Sequence, residues 1–495
     1  LLSAVEQKRL QLSKSTEAEK KSRFGQFLTP ERTAAFMAGL FSDGTGHCRL
    51  LDAGAGIGSL SAAFLDRWRS NGFHFQRVEM DAFELDPALI PYLSNTLEKY
   101  NHKGDFAAHI HEEDFIQTSV ESLSGDLFSL KALGSYTHAI LNPPYKKINS
   151  NSSCRLALRR VGIETVNLYS AFVALAVALA APGGQIVAIV PRSFCNGPYY
   201  RPFRNFILER AAVRHLHLFE SRTQAFKDDD VLQENIIIRL ERGSPQGPVT
   251  VSTSTDDAFT DLASHEHPFN RIVFPDDPER FIHVPTSSEK NAIELSPAVR
   301  YTLADLGVHV STGPVVDFRL KEHLRDMPEP DTVPLLYPGH FSSGGCIWPI
   351  EGMKKPNAIL RNADTEKRLF PMGFYCVVRR FSSKEEQHRV VASVVEPRAF
   401  AHIPVLGFEN HLNVFHVNKH GLPEAMARGL AVFLNSTAVD ENFRRFSGHT
   451  QVNATDLKLM KYPNRDALIR LGEWAMQQEE LTQIMIDAKL GSLTG

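Results

Sequence analysis

The sequence lacks the features that would place it in several large protein classes. Its 495 residues hold five cysteines (Cys48, Cys154, Cys195, Cys346 and Cys376), scattered and without a Cys-x-x-Cys pair. That spacing argues against a disulfide framework and against structural zinc, so no metal site is expected and the expected compartment is a reducing cytoplasm. No apolar run would span a bilayer, because the longest candidate, Ala171 to Val190, is broken by Pro182-Gly183-Gly184. The N-terminal stretch is polar and rich in Lys and Glu, which is no signal peptide. It opens on Leu1 rather than Met, which leaves the native start open. No sign of charge dominates: the formal net charge is −3, so any nucleic-acid surface must be local. No repeat or low-complexity tract is present. What remains, 43% hydrophobic and 22% charged residues, is the composition of an ordinary globular chain. Its length suits about two or three domains.

Against that plain background one stretch stands out. Tyr136 to Ile140 reads as a strand and delivers Leu141-Asn142-Pro143-Pro144-Tyr145 at its carboxyl end. Open α/β sheets place their chemistry at that end. The two prolines remove two backbone donors and stiffen the corner, so an amide and an aromatic ring are held on either side of it. Such a pair can accept hydrogen bonds from a planar amino group and stack on the ring that carries it. Taken alone, it reads equally well as a proline turn.

The rest of the N-terminal half supplies a setting. A charged helix over Leu1 to Arg23 precedes Gln26-Phe27-Leu28-Thr29-Pro30. There Thr29 has the residue type of a helix N-cap and Pro30 that of a first helical position, ahead of a helix over Arg32 to Phe41. Asp52-Ala53-Gly54-Ala55-Gly56-Ile57-Gly58 lies between a strand and a helix. Its glycines allow close backbone approach to a ligand. Their spacing is not G-x-G-x-x-G, and no Gly-Lys-Ser/Thr follows, so this is no phosphate loop. Glu84 ends the next strand at about the distance where an acid holds ribose hydroxyls. The strand Ala107 to His111 leads to Asp114 and Phe115, an acceptor for an amino group beside a ring that could stack on it. Each acid also reads as a solvated turn carboxylate.

Helical segments then alternate with strands through Val166 to Ala180, Gln185 to Pro191, Phe203 to Arg210, His215 to Phe219 and Asn235 to Leu240. That alternation predicts a doubly wound α/β sheet, its last two strands forming an edge hairpin. The Gly/Pro/Ser-rich piece Glu241 to Pro248 marks a boundary. The expected division is 1–245, a connector over 246–296, and a mixed α+β domain over 297–495 closed by a helix from Arg465 to Leu490. Within the last domain Lys354, Lys355, Arg361, Lys367, Arg368, Arg379, Arg380, Lys384 and Arg389 cluster. The stretches Gly407 to Asn413 and Phe443 to Asn453 are rich in amides, His and Arg, side chains that contact phosphates and base edges.

In combination, Gln26 to Pro30, Asp52 to Gly58, Glu84, Asp114-Phe115 and Asn142 to Tyr145 resemble the S-adenosylmethionine-dependent DNA amino-methyltransferases. Their order is similar to that of the gamma, TaqI-like class of adenine-N6 enzymes. Val310 to Arg319 and Ser447 to Asn453 resemble the type II modification methylases of the BsuBI/PstI group. The resemblance covers nearly the whole chain. It implies a Rossmann-like class I methyltransferase sheet with helices on both faces, followed by a target-recognition domain. It implies S-adenosyl-L-methionine as cofactor. Phe27, Thr29, Pro30, Asp52, Ala53, Gly54 and Gly56 would then border its methionine end, Glu84 its ribose, and Asp114 with Phe115 its adenine. Asn142, Pro143, Pro144 and Tyr145 would hold the target adenine. Phe226 matches the second aromatic wall, in a Phe-Lys-Asp-Asp-Asp loop that departs from the TaqI-like pattern.

The implied partner is double-stranded DNA, and the setting a restriction-modification system with a restriction endonuclease acting independently. A monomer is expected rather than an obligate oligomer. The stretch before Gln26 is too short for a fused nuclease. Alternatives are an RNA-base or protein-glutamine methyltransferase, which would lack the long C-terminal domain, and a non-catalytic DNA-specificity subunit on a methylase fold.

Overall fold

The computed structural model describes residues 1–15, 28–101, 104–125, 133–220, 234–288, 292–342, 345–382, 386–400, 403–447 and 451–494. Contacts divide the chain into two units, Leu1–Ser288 and Glu289–Gly495. Among the described residues no helix is long and apolar enough to cross a membrane.

The first unit is built on a nine-stranded sheet. Its strands are β1 (Thr45–Ala53), β2 (His74–Phe83), β3 (Phe106–His111), β4 (Tyr136–Leu141), β5 (Ala180–Pro191), β6 (Ala211–Phe219), β7 (Asn235–Arg242), β8 (Val249–Ser254) and β9 (Ala263–His267). They lie in the order β3-β2-β1-β4-β5-β7-β6-β8-β9. The first five are parallel, and β7 runs antiparallel between β5 and β6. One face carries α1 (Leu2–Ser15), α2 (Glu31–Gly39), α3 (Ser59–Arg69) and α4 (Ile90–Glu98); the other carries α5 (Phe115–Leu123), α6 (Ser153–Arg160), α7 (Leu168–Leu179) and α8 (Arg201–Arg210). Coverage on both faces explains why Ile186–Val190 of β5 and Ile236–Ile238 of β7 read as continuous apolar runs instead of alternating. The α7 sequence is apolar almost all round, and nearly every residue in it is buried.

Two sequence expectations change here. The antiparallel pair β6–β7 is not an edge hairpin, because β8 pairs with β6 and β9 with β8. Those two strands come from residues 246–288, read from the sequence as connector. Val249 and Val251 face the core, while the intervening positions are hydroxyl-bearing, and that polar look hid a strand. Thr29 is not the cap of α2. That position is Pro30, with no side-chain cap, and the Thr29 hydroxyl is used elsewhere.

The second unit is assembled from short, mostly antiparallel pairings. One sheet runs His309–Thr312, Leu412–His416, Tyr375–Arg379, Ala392–Val395; another runs Leu324–Arg325, Ala358–Leu360, Thr332–Leu336, Val405–Phe408, Leu369–Pro371. The single closing helix expected from Arg465 onward is two, Arg465–Met476 and Gln483–Thr494. The helices Glu424–Leu434 and Arg465–Met476 pack backbone to backbone. A Cβ on Gly429 would lie 1.8 Å from the Leu468 carbonyl oxygen, and one on Gly472 1.8 Å from that of Ala425. Gly472→Ala is therefore expected to force the helices apart and lower stability by about 1–3 kcal/mol or more. Calorimetric unfolding checks this, since an unchanged midpoint would mean the helices do not approach so closely.

Candidate active site

The strand order reverses between β1 and β4, and the carboxyl ends of those strands open a crevice there. After β1 the chain makes the loop Gly54-Ala55-Gly56-Ile57-Gly58 before entering α3. All three glycines have positive φ, at 81°, 58° and 86°, where a side chain would be strained. The N–H groups of Gly54 and Ala55 both donate to the Phe83 carbonyl at 2.9 Å, pinning the loop to the end of β2. A Cβ on Gly56 would come within 2.9 Å of Leu28.

Three carboxylates stand around this loop, each held differently. Glu84, 2% exposed, accepts the Gly56 N–H at 2.8 Å on one oxygen and the Asp86 N–H at 2.7 Å on the other. Asp114 caps α5, with Oδ1 accepting from the N–H groups of Ile116 at 2.8 Å and Gln117 at 3.1 Å. Asp52 is fully buried; its Oδ2 accepts from the Ser61 hydroxyl at 2.5 Å, whereas Oδ1 has no hydrogen bond among the described residues. Burial pushes the Asp52 carboxyl up to about 7, with the Ser61 hydroxyl acting in the opposite direction.

Across the crevice, the Asn142 amide donates from Nδ2 to Thr29 Oγ1 at 3.0 Å. The Tyr145 hydroxyl lies 3.4 Å from Asn142 Oδ1 and 3.3 Å from the Ile189 carbonyl of β5. Its ring meets Tyr169 edge-on at 6.2 Å, and burial pushes its phenol far above the ordinary range. These contacts set the ring's direction.

A cavity of ≈ 340 Å³ lies between these groups. Of the residues expected from the sequence, Gly54, Gly56, Glu84, Asp114, Phe115, Asn142 and Pro144 line it. Asp52, Ala53, Thr29, Pro30, Pro143 and Tyr145 do not; they sit behind or beside the lining. Phe27 and Phe226 lie outside the described residues. The lining also includes Leu28, which falls within the Phe27 to Pro30 segment expected at the methionine end, and Lys146, Leu168 and Phe172, which the sequence does not mark as ligand contacts. Leu168 and Phe172 are one turn apart on α7, so both project to the same side. The Phe172 ring lies 5.0 Å from that of Phe115. An apolar helix entering directly after the Asn-Pro-Pro-Tyr corner was the available signal, but its uniform hydrophobicity did not say which residues face the crevice.

A parallel sheet in the order 3-2-1-4-5-7-6 with strand 7 antiparallel, and a glycine loop after strand 1, is the class I methyltransferase arrangement. Residues 7–226 match the Eco57I restriction-modification methylase family. The chain is 53% identical to the type II methyltransferase M.BsuBI of Bacillus subtilis over 476 residues, covering 96% of this chain and 94% of that protein. It is 42% identical to M.PstI of Providencia stuartii over 455 residues, covering 90% and 88%. The chain belongs to the type II restriction-modification methyltransferases and is a DNA methyltransferase. Among solved structures it is similar in fold to DrdV, determined as a DNA complex, with TM-score 0.54, 12% identity, and coverage of 95% of this chain and 59% of that one. It is also similar to the type IIL restriction-modification enzyme MmeI, with TM-score 0.51, 11% identity, and coverage of 93% and 70%.

The Thr29–Asn142 bond joins residues 113 apart in sequence, so it is open to a direct test. Thr29→Val keeps the shape and removes the acceptor. Methyl transfer should fall about threefold to tenfold, the worth of one hydrogen bond, with the melting temperature little changed. Unaltered steady-state transfer would show that Asn142 is positioned without Thr29.

Proposed function

We propose that the enzyme transfers a methyl group from S-adenosyl-L-methionine to the N6 amino group of an adenine flipped out of duplex DNA. The observation that carries this reading is the Thr29–Asn142–Tyr145 arrangement at the rim of a cavity that also holds Gly54, Gly56, Glu84, Asp114 and Phe115.

The cavity residues fit the cofactor. Gly54 and Gly56 present bare backbone to the cavity, and Asp52, buried behind the lining, keeps Oδ1 without a hydrogen bond among the described residues, where a cation in the cavity would act on it. Glu84, oriented by two backbone N–H groups, would take the ribose hydroxyls. Asp114, with Oδ1 committed to the cap, would accept from the adenine amino group on Oδ2, with Phe115 and Phe172 against the ring. Bound there, the cofactor supplies an electrophilic methyl on a sulfonium.

The chain's contribution to the chemistry is placement and electrostatics. The lone pair of an exocyclic adenine amine is delocalised into the ring. Asn142 Nδ2 donates to Thr29 and Oδ1 lies 3.4 Å from the Tyr145 hydroxyl, so the amide is oriented and its oxygen would be the acceptor offered to the substrate. The Asn142 oxygen and the Pro143 carbonyl together would take both N6 hydrogens and draw the nitrogen toward tetrahedral geometry, restoring a directed lone pair. No strong base is needed, since the amine becomes acidic once methylated. Tyr145 and Phe226 would be the walls of the flipped-base site. Stacking is worth about 1–3 kcal/mol per base, against an unpairing cost of a few kcal/mol. The first unit would be catalytic and the second would choose the sequence. The substrate places the enzyme in the cytoplasm, beside a restriction endonuclease that acts independently.

Two outcomes test this. Asn142→Ala should abolish transfer of tritiated methyl to plasmid DNA while cofactor and DNA binding persist, and the wild-type product should contain N6-methyladenine. Retained transfer, or methylated cytosine in its place, would overturn the mechanism. The second concerns Asp52. Below about pH 7 the free site holds this carboxyl protonated, and a cationic ligand beside it favours the carboxylate. Cofactor binding should therefore release a proton at pH 6, and affinity should rise with pH toward 7 and level off above it. Titration calorimetry in buffers of different ionisation enthalpy measures the proton, and Asp52→Asn should abolish its release.

A further inference from the structure

Four segments distant in sequence meet at one end of the four-stranded sheet of the second unit. The Arg380 N–H donates to the His411 carbonyl at 2.8 Å, and the Arg380 carbonyl accepts from the Val452 N–H at 2.7 Å. Asn413 Nδ2 donates to the Val452 carbonyl at 2.7 Å, and the Asn410 N–H to the Val315 carbonyl at 2.9 Å. Phe381 forms a bridge with Gln451. These backbone contacts tie the segments together, so the side chains they project are held in place.

Much of the basic cluster seen in the sequence is spent on internal contacts. Arg361 pairs with Glu366, Arg379 with Glu386 and Lys355 with Asp317, while buried Arg389 bonds Ser382 and Ser447. At this end of the sheet His411, half-buried at 39% side-chain exposure, and Phe381 at 41% face outward. Beneath them Glu409 is completely buried. Its carboxylate accepts from His411 Nδ1 at 2.6 and 2.7 Å and from the His411 N–H at 2.8 Å. The Phe381 ring packs 4.8 Å from the imidazole. The Arg380 guanidinium donates to the Asn410 carbonyl and to Gln451 Oε1, both at 3.2 Å, and so orders that amide beside it.

A buried carboxylate is expensive unless it is well paired, and a turn can be capped without one. Here it fixes both the tautomer and the direction of one imidazole. Nδ1 is committed as a donor, and Nε2 has no hydrogen bond among the described residues. In the neutral ring Nε2 accepts, matching the N4 or N6 amino groups in the major groove; in the protonated ring it donates, matching guanine O6 or N7. The exposed Phe381 ring alongside is the kind of apolar surface that meets a thymine methyl.

We propose that His411 is a base-reading residue. It takes one base edge in the major groove of the recognition sequence through Nε2, with Glu409 and Phe381 as positioning residues. This rests on the reading of duplex DNA as substrate. The test uses the full chain and begins by mapping the wild-type methylation site on plasmid DNA. Duplexes carrying that site, each with one base pair replaced, then give kcat/KM for wild type, His411→Ala and His411→Gln. Both variants should lose about tenfold on the cognate site and lose discrimination at one base-pair position only. Glu409→Gln should weaken discrimination at the same position only, with cofactor binding intact. Uniform loss at every position, or no loss in a variant of unchanged melting temperature, would make His411 a structural turn residue only and overturn the proposal. A wild-type enzyme that methylates no duplex would overturn the substrate reading itself, and this inference with it.

Discussion

The reversal of strand order between β1 and β4 is the constraint on which the first unit depends. At that point neighbouring parallel strands send their chains to opposite faces of the sheet, and no connection covers the gap. The carboxyl ends there expose backbone groups that must find partners. Gly54 and Ala55 solve this by donating to the Phe83 carbonyl, which ties the loop of β1 to the end of β2. The Asn142 side chain adds a second tie from the other side by donating across to the Thr29 hydroxyl at the entrance to α2. The crevice is thus closed at its base by hydrogen bonds and left open at its centre.

The carboxylates divide the work by environment. Glu84 is buried and accepts a backbone N–H on each oxygen. Asp114 is stabilised by the first turn of α5, whose N–H groups it caps. At Asp52 burial outweighs the hydrogen bonds from the Ser61 hydroxyl and backbone. Burial thus raises the Asp52 carboxyl toward neutrality, while Glu84 and Asp114 are oriented by backbone N–H groups.

Much of this was legible in the sequence, for a physical reason. Parallel strands and short loops put Asp52, Glu84, Asp114 and Asn142 each at the end of its own strand, so order along the chain becomes adjacency in space. What was not legible involved side chains whose partner lies far away. Thr29 has the residue type and position of a helix cap, yet its hydroxyl serves Asn142, and nothing local in the sequence distinguishes the two uses. Leu168 and Phe172 were hidden by a helix apolar all round. The strands Val249–Ser254 and Ala263–His267 were hidden by their hydroxyls and histidines.

The second unit shows the limit of such reading more sharply. Its sheets are antiparallel and non-local: His309–Thr312 pairs with Leu412–His416, roughly a hundred residues on. Composition there registers Arg, Lys, His and amides, but not whether they face outward. Arg389 and Glu409 are charged in sequence and buried in the fold, whereas His411, two residues beyond Glu409, stands half exposed. A charged residue type therefore predicts a contact with solvent or ligand only where its counter-ion is not already supplied by the fold. In this unit the fold supplies several of them, while Lys354 and Lys367 stay exposed and His411 and Phe381 add ordered imidazole and aromatic groups to the surface.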